Sequence, residues 1–232
     1  MPLVSTFELL VNPIAPTDNL GNLPPDVVQK LGKVARRVVQ GYFLTIANTT
    51  DASARLRLEF TATTPELNLI DTVTIRDVLG NNEFSELTPV PGNSKRFTFN
   101  VGVPAHDTAL ITLLPDLQNV DLFTGAKNLE IRGYVSISRA AIAGPSYELL
   151  VTPEHRGTFL PRNIDDSVPD FDQIAYALPT ASGGSLVRLP SLVRPPILTS
   201  QPGESNGVED SQEVLSLMAQ RIEELEQRFA NV

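Results

Sequence analysis

The chain has 232 residues, 41% of them apolar, a formal net charge of −9 and no Cys. That length holds one domain of about 150 residues plus appendages. The acidic balance disfavours nucleic acid or an anionic membrane surface as main partner, because both select Lys/Arg-rich faces, and without Cys there are no disulfides, thiolate chemistry or Cys-ligated metal.

The opening stretch, MPLVSTFELLVNP, lacks a basic run followed by an apolar stretch of signal-peptide length. No segment approaches the roughly 18 apolar residues of a membrane span. The sequence predicts a cytoplasmic or particle-associated protein, with no cofactor and with neither nucleic acid nor membrane as partner.

From residue 2 to about 160 the dominant signal is β. VSTFELLV (4–11) reads as a first strand. PPDVVQKLGKVARRVVQ (24–40) mixes two patterns. Val27, Leu31, Val34 and Val38 fit a helical stripe with Pro25 at its start, whereas Gly32 and the valines oppose it. The segment is expected to make a short helical turn to about 31 and then a long strand. GYFLTIAN (41–48) and ARLRLEFTAT (54–63) flank the polar TTDAS and read as a hairpin. In the second, Leu56, Leu58 and Phe60 alternate with Arg55, Arg57 and Glu59, one dry face and one wet.

DTVTIRDVL (71–79) follows, with Val73, Ile75 and Val78 expected inward. KRFTFNVGV (95–103), DTALITLLP (107–115), LEIRGYVSISR (129–139), SYELLVTP (146–153) and GTFLP (157–161) continue the series. Phe60, Phe97, Phe99, Leu113, Ile131 and Tyr134 are expected in the core. About seven to nine short strands with Gly/Pro/Asn turns argue for an all-β, two-sheet antiparallel sandwich over 1–161, immunoglobulin-like first and jelly roll second.

Residues 162–210 turn rich in Pro, Ser, Gly and Asp and read as an extended tail that need not fold alone. Within it, SLVRLPSLVRPP (185–196) carries Ser-Leu-Val-Arg twice. A mere spacer has no use for Leu186, Val187, Leu192 and Val193, and the prolines keep the backbone extended. Such a segment docks on a sheet edge or groove of a neighbouring subunit, or packs back on its own domain as a last strand. An unbound tail is the third alternative.

Residues 211–232 predict a coiled-coil helix, capped by Asp210 or Ser211. Leu215, Met218, Ile222, Leu225 and Phe229 follow the 3-4-3-4 spacing of an a/d seam, with Arg221 at g and Glu226 at e. RIEELE (221–226) resembles the Arg-apolar-x-x-apolar-Glu signature of short parallel trimeric coiled coils. The resemblance covers six residues and implies a homotrimer in which Arg221 meets Glu226 of the next chain. The alternatives are a helix docked on its own sandwich and a foreign partner.

Catalytic motifs are scarce. His106 (PAHDT) and His155 (PEHRG) read as turn histidines. His106 beside Asp107 is half a triad, but no Ser sits in a Gly-x-Ser-x-Gly elbow, and GPSYE (144–148) ends in Glu. Asp165, Asp166, Asp170 and Asp172 have the density of a Ca²⁺ site without EF-hand spacing, and read as a solvated acidic loop. Lys30, Lys33, Arg36 and Arg37 cluster without interleaved aromatics and read as a solvated basic face. NTT (48–50) is a glycosylation triplet without a secretory route.

The sequence therefore predicts a non-enzymatic structural or assembly protein. Its partners would be copies of itself and other subunits of a larger, phage-like or shell-associated particle. A carbohydrate- or small-ligand-binding module is the alternative, with no Trp and four Tyr against it.

Overall fold

Alternating apolar residues do build strands through most of the chain, in a computed structural model that describes residues 1–15, 23–64, 67, 69–141, 143–161 and 172–192. In chain order the elements are β1 (Leu3–Pro13), α1 (Pro25–Val34), β2 (Arg37–Asn48), β3 (Ala54–Thr64), β4 (Thr72–Val78), β5 (Asn81–Ser85) and β6 (Thr88–Val90). There follow β7 (Asn93–Val103), β8 (Thr108–Pro115), α2 (Val120–Thr124), β9 (Leu129–Arg139), β10 (Tyr147–Phe159), β11 (Asp172–Ala177) and β12 (Leu186–Leu189). The described fold is all-β and antiparallel, as expected. The stretches 146–153 and 157–161, expected as two strands, run together as β10.

All twelve strands belong to one hydrogen-bonded sheet, in the order β5-β4-β8-β2-β1-β9-β3-β7-β6. β10 lies on the other edge of β2 along Val38–Asn48. β2 therefore shares its remaining edge between two partners. Arg37–Gln40 pair with β1, and Tyr42–Ala47 pair with β8. Gly41 stands at the change-over. A Cβ there would lie 2.2 Å from Leu114 Cδ2 and 3.0 Å from the Leu113 carbonyl, so any larger residue would push the Leu114 side chain aside and press on the β8 backbone.

Beyond the shared stretch β1 and β8 diverge, the sheet curls, and its concave face encloses the core. Phe7 of β1, Tyr42 of β2 and Phe60 of β3 meet there, with ring centroids 5.8–6.4 Å apart in tilted and edge-on packing. Each is 1% exposed or less.

Four expectations change. The stretches 41–48 and 54–63 are not a hairpin: β3 pairs with β7 and β9, while β2 pairs with β1, β8 and β10. Alternation names the dry face of a strand but not its neighbour. What diverts the chain is Asn48, 1% exposed. Its Nδ2 donates toward the carbonyls of Ala52 (2.8 Å), Pro104 (2.9 Å) and Val103 (3.2 Å), and its Oδ1 accepts from Thr50 N–H at 3.1 Å. These bonds bind the β2–β3 crossover to the end of β7. Asn48 of the glycosylation triplet is thus consumed inside the fold.

In β4 the buried residue is Thr74, and Val73 and Ile75 point to the opposite face from Thr74 and Val78. Tyr134 is 39% exposed, because Ile131, Gly133 and Val135 hold the inward positions of β9. α1 runs three residues past the expected end, since Gly32 faces open space and Ala35 N–H still closes on Leu31 O at 2.9 Å.

Asn48→Ala should lower unfolding free energy by roughly 2–3 kcal/mol, because buried carbonyls lose their donor. Urea denaturation followed by circular dichroism measures it; a loss under about 0.5 kcal/mol, the usual effect of a surface change, would show that the crossover does not depend on this side chain.

Candidate functional site

Where the neighbours of β2 change, four strands close a polar ring around two buried side chains, His155 and Gln40. His155 on β10 is 5% exposed, so it is no turn histidine. Its Nε2 accepts the main-chain N–H of Glu8, on β1, at 3.0 Å. Its Nδ1 lies 3.0 Å from the hydroxyl of Tyr176, on β11. That hydroxyl donates to Gln40 Oε1, on β2, at 3.2 Å, and Gln40 Nε2 donates to the Glu8 carboxylate at 3.1 Å. The circuit begins on the Glu8 main chain and ends on its side chain.

The donors fix the protons. Tyr176 gives its one proton to Gln40, so Nδ1 of His155 carries the hydrogen it shares with Tyr176, and Nε2 is the acceptor. The imidazole is neutral. Burial pushes its pKa down. Burial first, then the Glu8 charge, pushes the Tyr176 phenol up. Tyr42 and Tyr176 meet the imidazole edge-on at 6.3 and 5.3 Å. Both nitrogens are engaged by the protein, which leaves no lone pair to deprotonate a substrate. Chemically the ring is a clasp that ties β11 to the body of the sheet.

His106 does occupy a turn, with φ of 54°. Its Nε2 lies 2.8 Å from Asp51 Oδ1, and both side chains are exposed. Asp107, its expected partner, instead accepts the N–H of Thr108 at 2.7 Å. Asp51 lines an open cleft of about 690 Å³ with Thr49, Thr50, Tyr147, Glu148 and Arg188. Arg188 and Glu148 pair across it at 2.8 Å.

The tail repeat is split. Leu186–Leu189 form β12 on β10, placing Val187 and Leu189 in the core at 6% and 4% exposure. Arg139 clamps the strand end, donating to the carbonyls of Pro190 (3.0 Å) and Leu189 (3.2 Å) while its guanidinium lies 4.3 Å over the Tyr147 ring. Leu192 makes an isolated bridge to Gly144. Leu186 and Leu192 remain 39% and 45% exposed. Val193, Asp165, Asp166 and Asp170, and the seam residues Leu215, Met218, Arg221, Ile222, Leu225, Glu226 and Phe229, lie outside the described residues.

Of the basic cluster, Lys30 is solvated as expected and the Lys33 side chain lies outside the described residues, but the two arginines are not a solvated face. Arg36 donates to the carbonyls of Leu160 (3.2 Å) and Phe159 (3.1 Å) and pairs with Asp172. Arg37 donates to Asn128 Oδ1 at 2.8 Å and to the Lys127 carbonyl. Arg36 fastens the end of β10 and the start of β11, and Arg37 fastens the loop between α2 and β9. Lys30 pairs with Asp26 on the exposed side of α1 at 3.4 Å.

Among the described residues no three His, Asp or Glu side chains converge as a metal site, and no helix is long and apolar enough to cross a membrane. Glu8, Gln40 and Tyr176 escape sequence reading, because their pairing depends on register between strands far apart in the chain.

No protein-family model and no curated protein matches the chain. One solved structure, described as "AvmM Catalyzes Macrocyclization in Alchivemycin A Biosynthesis", is similar at 8% identity and a TM-score of 0.19, over 69% of this chain and 83% of that one. A likeness at that score carries neither fold nor activity across.

Below the ordinary imidazole pKa of about 6.5 the unfolded chain binds a proton that folded His155 refuses. The unfolded state then holds more protons, so stability rises with pH through that window and falls as pH drops below it. Urea unfolding between about pH 7 and 5 should show this fall, at most about 1.4 kcal/mol per pH unit from this site. His155→Gln should flatten it while weakening the fold by about 1–2 kcal/mol at neutral pH. Equal pH profiles for variant and parent would assign the dependence to other groups.

Proposed function

We propose that this chain is a non-enzymatic structural or assembly protein. The curled sheet would be a two-sheet sandwich, immunoglobulin-like or jelly-roll in topology, whose halves part at Gly41. It would oligomerise as a homotrimer through the seam of Leu215, Met218, Ile222, Leu225 and Phe229, as a subunit of a larger particle. The observation that carries the reading is that seam, together with its Arg221–Glu226 pattern. Two facts support it. Both nitrogens of the buried histidine are committed to the fold. The tail also grips a sheet edge by strand addition, and leaves Leu186 and Leu192 for further contacts.

A second reading, a module for carbohydrates or small ligands, rests on the open cleft in which Thr49, Thr50, Asp51, Glu148 and Arg188 stand among apolar residues such as Tyr147 and Leu189. Retention on a glycan array, abolished by Arg188→Ala, would favour it over assembly.

Sedimentation equilibrium tests the first reading. Full-length protein should self-associate at micromolar concentration, whereas Ile222→Asp and a chain ending at 210 should lose the helix-mediated part. Like charges in a dry seam add repulsion to desolvation. Arg221→Glu should be milder, since a rim pair is worth roughly 0–1 kcal/mol. An Ile222→Asp variant that associates like the parent would remove the coiled coil.

The strap separates into two roles. Val187→Asp should destabilise the domain by several kcal/mol, because it buries a charge without a partner. Leu186→Asp with Leu192→Asp should leave the melting temperature nearly unchanged and weaken subunit or partner contacts. Unchanged contacts in the double variant would reduce the second copy of the repeat to a spacer.

A further inference from the structure

A strand at a sheet edge presents unpaired N–H and C=O groups, which proteins guard with charge, Pro, bulges or short length. β6 is three residues long and carries Pro89. β5 carries Glu83, paired with Arg76. β12 is four residues long, bears Arg188 and is followed by Pro190. β11 has no comparable guard. Asp172–Ala177 reads Asp-Gln-Ile-Ala-Tyr-Ala, all six residues are exposed, and among the described residues it pairs with β10 alone.

The ladder with β10 fixes which groups face out. Residues of an antiparallel strand alternate between turning both N–H and C=O toward the partner and turning them away. Leu178 donates its N–H to Pro153 O at 2.8 Å, so Tyr176, Ile174 and Asp172 also turn toward β10. Gln173, Ala175 and Ala177 turn their main-chain groups to the free edge. Ile174 and Tyr176 share the face of buried His155, yet remain 38% and 42% exposed. Among the described residues, the core face thus runs past the last strand uncovered.

We propose that β11 pairs antiparallel with β11 of a second copy of this chain, about a two-fold axis through Ala175. That register sets Ala175 against Ala175 and Gln173 against Ala177, so every outward N–H and C=O gains a partner. It sets Ile174 opposite Tyr176 in both halves, an aromatic on a β-branched residue, which stabilises an antiparallel pair. No like charges meet. Asp172, the one charged residue of β11, falls opposite Leu178, and Glu154 and Arg156 on β10 are paired with each other at 2.7 Å. The contact is independent of the C-terminal seam.

Sedimentation velocity of full-length parent, Ala175→Pro, Ile222→Asp and the double variant tests it. Pro at 175 removes an outward N–H and no bond to β10, so the protomer's circular dichroism and urea midpoint should hold. The expected result is a dimer dissociation constant raised tenfold or more by Ala175→Pro, in the Ile222→Asp background as well as the parent. If Ile222→Asp alone changes the oligomer, the helix stands and this interface falls; if Ala175→Pro alone does so, the reverse holds. Should Ala175→Pro unfold the protomer, cross-linking decides. The chain has no Cys, and hydrogen-bonded antiparallel partners have Cα atoms about 5.5 Å apart, within disulfide reach. Oxidised Ala175→Cys should form a covalent dimer far faster than the exposed control Asn82→Cys. Equal rates, or a parent that stays monomeric at all concentrations, would overturn the proposal.

Discussion

The divided edge of β2 is the constraint on which the remaining architecture depends. One strand holds β10 along its whole length while its other edge passes from β1 to β8. Gly41, with no side chain to press on Leu113 and Leu114, sits at that passage. Past that point β9, β3, β7 and β6 follow β1, whereas β4 and β5 follow β8. The sheet curls, and its concave apolar face holds the core. Phe7, Tyr42 and Phe60 pack together inside that curl. Gly133 has a related role on β9. The Phe7 ring and the Thr61 carbonyl occupy the space that a Cβ would need, so ring and backbone pack directly on each other.

Strands that diverge leave polar groups inside, and burial of such groups is costly unless each finds a partner. The fold turns this cost into long-range fastening. Asn48 joins the β2–β3 crossover to the end of β7. Asp71, 3% exposed, accepts from Lys127 at 2.7–2.8 Å and from Asn119 at 3.0 Å, which seats α2 and lets Leu122 close the core. Glu59, 8% exposed, is gripped by both Nε and Nη2 of Arg96. The His155 circuit belongs to the same class and joins four strands. In each case the polar group specifies a neighbour, which apolar contact does not do.

That difference explains what the sequence made legible. Leu56, Leu58 and Phe60, like Phe97, Phe99 and Val101, show their face by alternation, and all are buried. The partner of β3 was not legible, because TTDAS has the composition of a tight turn and the Asn48 bonds that open it arise only in three dimensions. Thr74 is buried where Val73 and Ile75 looked better, since β4 takes its facing from β8 and not from its own hydropathy. Tyr134 looked like core by residue type, but the phase of β9 turns it out. His155 looked like a turn residue because Pro153 and Gly157 flank it. Pro153 shows the limit of that reading: β10 accommodates it between two neighbours, in register with Leu44. The seam at 215–229 was legible as a pattern, and it lies outside the described residues.

The tail gives the fold its open end. β10 begins with a free far edge, and the chain itself returns to cover it, first with β11 and then with β12. Covering an edge with a strand moves the unpaired groups outward by one strand and does not remove them. β12 ends that progression by being short, by carrying Arg188 and by having its last carbonyls bound by Arg139. β11 ends it with neither charge nor proline along its outward positions, and its inner face is secured by Tyr176 to His155 and Gln40. A strand so firmly held on one side and, among the described residues, unpaired on the other has the properties of a template. Strand addition in this chain joins a tail to its own domain, and in the proposed dimer the same hydrogen-bond geometry would extend from one copy to the next.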